Sequence, residues 1–151
     1  WHGLNVPLWP LIAFLIPLAS AWRLAKFNLD DRQTTYFIGL PTPANTLLIA
    51  SLPMILTFQN NDLYNKIIVS PVFLIGLTLV SAFLLNAPIR LFSLKFQSTD
   101  FKTNASRYIF LLLALSLLLT LRFAAIPLIV VLYIGMSLLD DLVGKRTKGA
   151  S

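Results

Sequence analysis

The sequence predicts an all-α fold, a polytopic transmembrane helix bundle with five membrane segments in this chain. Three observations carry that prediction. Hydrophobic residues make up 57% of the 151 positions and charged residues only 12%, about half the usual share of roughly 25% in a soluble domain. The apolar residues fall into leucine-rich runs parted by short polar stretches, with a mean hydropathy of +0.78. The basic residues collect on alternate connections, as the positive-inside rule requires of a polytopic protein. No cysteine is present, which excludes a disulfide framework and thiol chemistry. A single histidine, His2, leaves little material for a zinc site. The chain reads as one membrane domain, residues 1–151, with no internal repeat.

The first segment runs from about Leu4 to Trp22 and continues helically to about Asn28. Pro7 and Pro10 lie near its start, where a missing N–H is tolerated, and Pro17 predicts a kink. The second runs from Ala44 to Phe58, with Thr42 as N-cap and Pro43 as first helical residue. The third spans about Ser70 to Ala87 and stops before Pro88. The fourth spans Tyr108–Leu121 and the fifth about Ala124–Val143. Read as one rod, Arg107 to Val143 would measure roughly 54 Å against a bilayer core of about 30 Å. It would also hold Arg122 at mid-membrane, where charge is expensive. A hairpin with Arg122 at its tip is cheaper. The stretch Arg90–Asn104 reads as a solvated loop with anchoring phenylalanines, or as a short interfacial element.

Numbering the connections alternately places Arg23, Lys26, Arg32, Arg90, Lys95, Lys102, Arg107, Lys145, Arg146 and Lys148 on one side and only Lys66 and Arg122 on the other, ten against two of the 12 basic residues. The rule makes the richer side cytoplasmic, so residues 23–42, 88–107 and the C-terminus face the cytoplasm. The net charge of +6 is then explained by anionic headgroups, and nucleic-acid binding is excluded because the apolar runs cannot be kept in water.

One polar stretch, WRLAKFNLDDRQTTYFIGLPTPAN (Trp22 to Asn45), carries the candidate chemistry. Arg23 and Lys26 stand three apart, on one helix face. An arginine fork and a lysine point charge at the membrane surface suit phosphate or carboxylate. Asn28 adds a neutral donor and acceptor. Gly39 and Pro41 shape the turn into the second helix, whose N-terminus, with Thr42 and Asn45, favours an anion. The plain alternative is that basic residues close a cytoplasmic helix end with no function attached. Asp30 and Asp31 read as a solvated pair, Asp140 and Asp141 as partners of Lys145 or Arg146, and Tyr64 and Tyr133 as packing or interfacial aromatics. Ser70, Thr78, Ser81, Ser116 and Ser137 are expected to bond back to their own helices.

The string RLAKFN followed by FIGLPTPA resembles the CDP-alcohol phosphatidyltransferase family, and within it the bacterial CDP-diacylglycerol–serine O-phosphatidyltransferases. The motif likeness covers Arg23–Ala44; the likeness in helix layout covers the whole chain. It implies that Arg23, Lys26 and Asn28 bind substrate and that Gly39 and Pro41 shape the pocket. Lysine at position 26 replaces the commoner arginine, which keeps the charge and loses the fork. The resemblance implies transfer of a phosphatidyl group from CDP-diacylglycerol to L-serine with release of CMP, in a bacterial inner membrane, by a possible homodimer using a divalent cation, Mg or Mn. The metal-binding signature of that family, D-G-x-x-A-R followed by a glycine and two further aspartates, is not in this sequence, which contains no Asp-Gly pair. No catalytic or metal residue is therefore assigned here. The expectation is a C-terminal portion lacking the upstream catalytic helices and inactive alone. The alternatives are another acceptor alcohol, such as inositol, glycerol phosphate or choline, or a transporter or non-catalytic bundle. The confinement of charge to segment ends argues against transport.

Overall fold

A computed structural model describes residues 7–29, 36–92 and 104–149, with the side chains of 36, 147 and 148 left aside. The fold is all-α apart from one small ribbon. A 3₁₀ turn, Trp9–Phe14, leads into α1 (Leu15–Leu29). Strand β1 (Tyr36–Ile38) precedes α2 (Thr42–Phe58), α3 (Asp62–Ile68) and α4 (Pro71–Asn86). Strand β2 (Arg90–Phe92) then leads to the hairpin of α5 (Ala105–Leu121) and α6 (Ala125–Gly149).

The helix boundaries follow local chemistry. The chain winds as 3₁₀ until Leu15 and becomes α-helical just before Pro17. Pro17 thus falls in the first α turn, where it has no intrahelical partner to lose; a change of winding stands where a kink was expected. At α2 the cap position belongs to Pro41, not Thr42, and its side chain makes no capping bond. Thr42 is one residue inside, and its hydroxyl lies 3.2 Å from that of Ser20 on α1. Pro71 opens α4 at a position suited to proline, and α4 ends at Asn86, two residues before Pro88. Helix α3 was not anticipated: Asn61 caps it by accepting from the Leu63 N–H at 2.9 Å.

The stretch Ala105–Arg146 is folded back on itself. Arg122 takes φ 54° and ψ −123° at the end of α5, and the Ser106 hydroxyl donates to Asp140 Oδ1 at 3.1 Å. Phe110 on α5 faces Tyr133 on α6 at 5.8 Å between ring centres. The turn itself is clamped by one side chain. Gln59, just past α2, donates Nε2–H to the Leu121 carbonyl at 3.0 Å and accepts the Ala124 N–H at 2.7 Å on Oε1. One amide thereby satisfies an orphan carbonyl of α5 and an orphan N–H of the hairpin turn.

β1 and β2 pair antiparallel with Tyr36 opposite Phe92, Phe37 opposite Leu91 and Ile38 opposite Arg90. Two residues one turn apart on α6 seize β2: the Tyr133 hydroxyl donates to the Phe92 carbonyl at 2.8 Å, and the Ser137 hydroxyl accepts the Phe92 N–H at 3.4 Å. The expectation that Ser137 bonds within its own helix is thereby corrected, whereas Thr78 and Ser116 do bond to carbonyls four residues back. The buried core is split. Leu40, Leu91, Phe92, Phe110, Val130 and Tyr133 pack at the ribbon end, and Leu52, Ile55 and Ile68 pack at the far end with Phe123 and Tyr64 around them.

The remaining surface is apolar. Of α5 only Arg107 and Phe110 are buried, and Leu112, Leu119, Val72, Phe83 and Val131 lie open on several helices. Water-soluble monomers rarely expose contiguous apolar surface on this scale. Two helical stretches, Trp9–Leu29 and Ala105–Arg146, are long and apolar enough to cross a membrane; the α3–α4 pair, bent by 63°, makes a third when taken as one span, and α2 is a shorter apolar helix. The protein is therefore a helical membrane protein by length, composition and exposed surface.

Candidate functional site: the ribbon end of the bundle

The two ends of the bundle differ in charge. Arg23, Lys26, Arg90, Arg107, Lys145 and Arg146 lie toward the ribbon end, and Lys66 on α3 and Arg122 in the hairpin turn lie at the other. Arg32, Lys95 and Lys102, with Asp30 and Asp31, lie outside the described residues, as do Trp1 and His2. One turn ahead of RLAKFN, α1 meets the FIGLPTPA segment at the ribbon end through Ser20 and Thr42.

Gly39 is fixed there by geometry. Its φ is +75°, and a β-carbon on it would stand 2.6 Å from the Leu85 carbonyl oxygen. The close approach lets Gly39 N–H reach the Ile89 carbonyl at 2.9 Å and Leu40 N–H reach that of Leu84 at 2.8 Å. The GLP turn is thus stitched to the C-terminal turn of α4. Leu40 is fully buried behind it. Pro41 starts α2 and lines an apolar cavity on the other side of the turn.

Arg23 shares a face of α1 with Ala19 and Ser20, one turn earlier. That face is turned inward: Asn86 at the end of α4 donates Nδ2–H to the Ala19 carbonyl at 2.9 Å, and Ser20 meets Thr42. Arg23 Nε and Nη2 are buried and have no hydrogen-bond partner. Its charge lies within electrostatic reach of Tyr133 on α6. Nearby polar atoms are in a similar state: Asn86 Oδ1, left free as its amide N–H bonds α1, and Asn45 Oδ1 on the first turn of α2 are buried and unpartnered. Native proteins keep few such groups, because each costs about 1–3 kcal/mol, more when charged. Unpartnered buried atoms also occur elsewhere, at Asn65 Oδ1 on α3 and Ser81 Oγ on α4, and the expectation that Ser81 bonds back to its own helix is thereby corrected.

The other two predicted binding residues part from Arg23. Lys26 is exposed, with Nζ 5.7 Å from the centre of the Trp22 ring. Asn28 is exposed near the end of α1. Arg23 and Lys26 are three residues apart on α1, but the i, i+4 partner of Lys26 is Trp22, which draws the ammonium outward. Arg107, a surface cation in the sequence reading, is buried, with Nη1 donating to Asn104 Oδ1 at 3.4 Å and the guanidinium over Phe92. Asp141 pairs with Lys145 at 2.7 Å, and Asp140 takes Ser106 instead. Among the described residues no group of three His, Cys, Asp or Glu side chains comes together to hold a metal ion. The divalent cation that the resemblance implies has no ligand set there. Asn86 escaped the sequence reading because amides at helix ends are common without function; Tyr133 packs as expected, and its hydroxyl bond to the Phe92 carbonyl is the part that sequence did not show.

Comparisons of the chain with protein-family profiles, with characterised proteins and with solved structures return no match.

Proposed function

We propose that the ribbon end is the anion-facing wall of a lipid-modifying transferase. The particular reading is phosphatidyl transfer from CDP-diacylglycerol to L-serine with release of CMP, this chain supplying the non-metal side of the pocket. In this reading all five long helices cross the membrane and the ribbon end faces the cytoplasm of a bacterial cell, where a water-soluble acceptor meets a lipid-anchored diphosphate. One observation carries the proposal: Arg23 holds two buried guanidinium nitrogens with no partner, on the motif RLAKFN, next to a turn that Gly39 and Pro41 fix. A phosphate or carboxylate oxygen is the chemical complement of those donors, and charge-assisted bonds of this kind are the strong ones. Phosphoryl transfer depends mostly on positioning and charge stabilisation, so such a residue bears on rate as well as binding.

The test is CMP release from CDP-diacylglycerol and serine by membranes containing the protein that carries this chain. Arg23→Ala is expected to lower the rate at least about tenfold, the equivalent of about 1.4 kcal/mol, while Lys26→Ala, already drawn to Trp22, lowers it several-fold less. Full activity of Arg23→Ala in protein that still inserts removes Arg23 from the site. Absence of CMP release with serine and its appearance with another alcohol reassigns the acceptor.

A further inference from the structure

Helix α3 divides its surface three ways. At about 100° per residue, positions four apart fall on one strip, and its 7 residues form three such strips in succession around the axis. Tyr64 and Ile68 make the first and pack in the far core with Leu52, Ile55 and Phe123. Leu63 and Ile67 make the second and are 62% and 45% exposed. Asp62 and Lys66 make the third, both exposed, with Asn65 beyond them donating its amide to Asn60 Oδ1 at 2.9 Å. A walk around the helix thus meets protein, open hydrocarbon and then charge. The neighbouring helix supplies the depth. α4 has 16 residues, about 24 Å, short of a hydrocarbon core of about 30 Å. α3 is bent from it by 63°, so its own length of about 10 Å advances only about 5 Å along the α4 axis. The pair together reaches about 29 Å. With α4 along the membrane normal, α3 lies closer to the membrane plane than to the normal, at the edge of the core.

We infer that α3 is an interfacial helix. It rests at the headgroup–acyl boundary of the leaflet opposite the ribbon, with Leu63 and Ile67 against the upper acyl chains and Asp62 toward water. The inference rests on the membrane crossing in the proposed function, not on its transfer chemistry. An apolar strip bordered by protein on one side and charge on the other suits the layer where hydrocarbon gives way to hydrated headgroups. Exposed apolar residues stand at both ends of α3 in the chain, Phe58 in the last turn of α2 and Val72 in the first turn of α4, so lipid-facing surface leads into it and out of it. Lys66 lies on the edge of the polar strip nearest Leu63 and Ile67, where its alkyl stem covers apolar surface and its ammonium reaches phosphate oxygens.

Single cysteines carrying a nitroxide test this, because the chain has no cysteine of its own. The protein is placed in vesicles of phosphatidylcholine and phosphatidylglycerol. Collision of the nitroxide with oxygen, which concentrates in lipid, is compared with its collision with a water-soluble nickel chelate. The positions are Leu63, Ile67 and Asp62 on α3 and Leu79 and Val80 at the centre of α4, all exposed, so the label displaces no packed side chain. The oxygen-to-nickel ratio at Leu63→Cys and Ile67→Cys is expected to lie several-fold above that at Asp62→Cys and several-fold below that at Leu79→Cys and Val80→Cys. A ratio at Leu63→Cys and Ile67→Cys equal to that at Asp62→Cys puts the strip in water and overturns the proposal. A ratio equal to that at Leu79→Cys puts α3 deep in the core and also overturns it. So does slow collision with both reagents, which identifies a protein surface on the strip, from a second copy or another chain. Water-like ratios at Leu79→Cys and Val80→Cys remove the span itself and, with it, both this inference and the membrane placement of the proposed function. A water-exposed strip beside lipid-facing Leu79 and Val80 counts against the interfacial helix alone and leaves the transfer reading standing.

Discussion

Replacing Gly39 by alanine is expected to be the most damaging one-carbon change in the described chain. Two separate penalties apply. The backbone there has φ +75°, a region that costs a residue with a β-carbon about 1–3 kcal/mol. The new methyl would also lie 2.6 Å from the Leu85 carbonyl oxygen and 3.1 Å from that of Leu84. Both are main-chain atoms of the last turn of α4, so no side chain can swing away; either the ribbon lifts or the turn frays. Overpacking of this kind costs about 1–3 kcal/mol, and the two together give roughly 2–6 kcal/mol. Movement also stretches the Gly39–Ile89 and Leu40–Leu84 bonds, at 2.9 and 2.8 Å. Gly76 in α4 and Gly135 in α6 are the internal controls. A methyl meets nothing within 4 Å at either, and alanine in a helix interior is better than glycine by about 0.5–1 kcal/mol. Reversible unfolding in mixed detergent micelles, followed by far-ultraviolet circular dichroism, measures all three. Gly39→Ala is expected to be strongly destabilised and the other two neutral to stabilised. A Gly39→Ala variant within about 0.5 kcal/mol of the parent, or no worse than Gly135→Ala, refutes the reasoning.

Gln59→Leu strips the hairpin turn of both its clamping bonds and is expected to cost about 1–3 kcal/mol in the same assay; Gln59→Glu, which still accepts from Ala124 N–H, is expected to recover less than half. Tyr133→Phe keeps the ring against Phe92 and Phe110 but leaves the Phe92 carbonyl without its 2.8 Å donor, and about 1–2 kcal/mol is the expected loss. Equal stability of Tyr133→Phe and the parent would mean that the ribbon is held by its apolar contacts alone.

The parts of this structure legible in the sequence are those set by local composition. The boundaries of α2, α4 and α5 fall within a few residues of the apolar runs because proline and the loss of apolar character act at the boundary itself, as at Pro71 and Pro88, whereas α1 becomes α-helical only at Leu15 and α6 runs on to Gly149, past the apolar run that ends at Val143. The fold-back at Arg122 was legible for a different reason: the alternative is too long and buries a charge. The ribbon was not legible. Its strands are three residues each, separated in sequence by α2, α3 and α4, and their pairing is decided by α4 and α6 rather than by any period of their own. Helix α3 had a signal that went unread, the amide cap at Asn61 ahead of Asp62. At the candidate site, the spacing of Arg23 and Lys26 fixed their angular positions on α1 but not their partners. Burial against Ala19 and Ser20's neighbours turned one inward, and Trp22 drew the other outward. The cap at Thr42 moved by one residue because its hydroxyl found Ser20 across the helix interface. Gly39 and Pro41 were legible as a turn; that the turn is pinned to Leu84, Leu85 and Ile89 required the third dimension.

The proposed site requires a bundle that crosses the membrane with its ribbon end on the cytoplasmic side. The absence of cysteine makes this directly measurable with single cysteines and a membrane-impermeant maleimide, applied first to intact cells and then to opened ones. Lys26→Cys and Lys145→Cys are expected to react only after opening, and Lys66→Cys and Arg122→Cys to react in intact cells. Labelling of all four from one side, or of Lys26→Cys from outside, contradicts the orientation on which the proposed site stands.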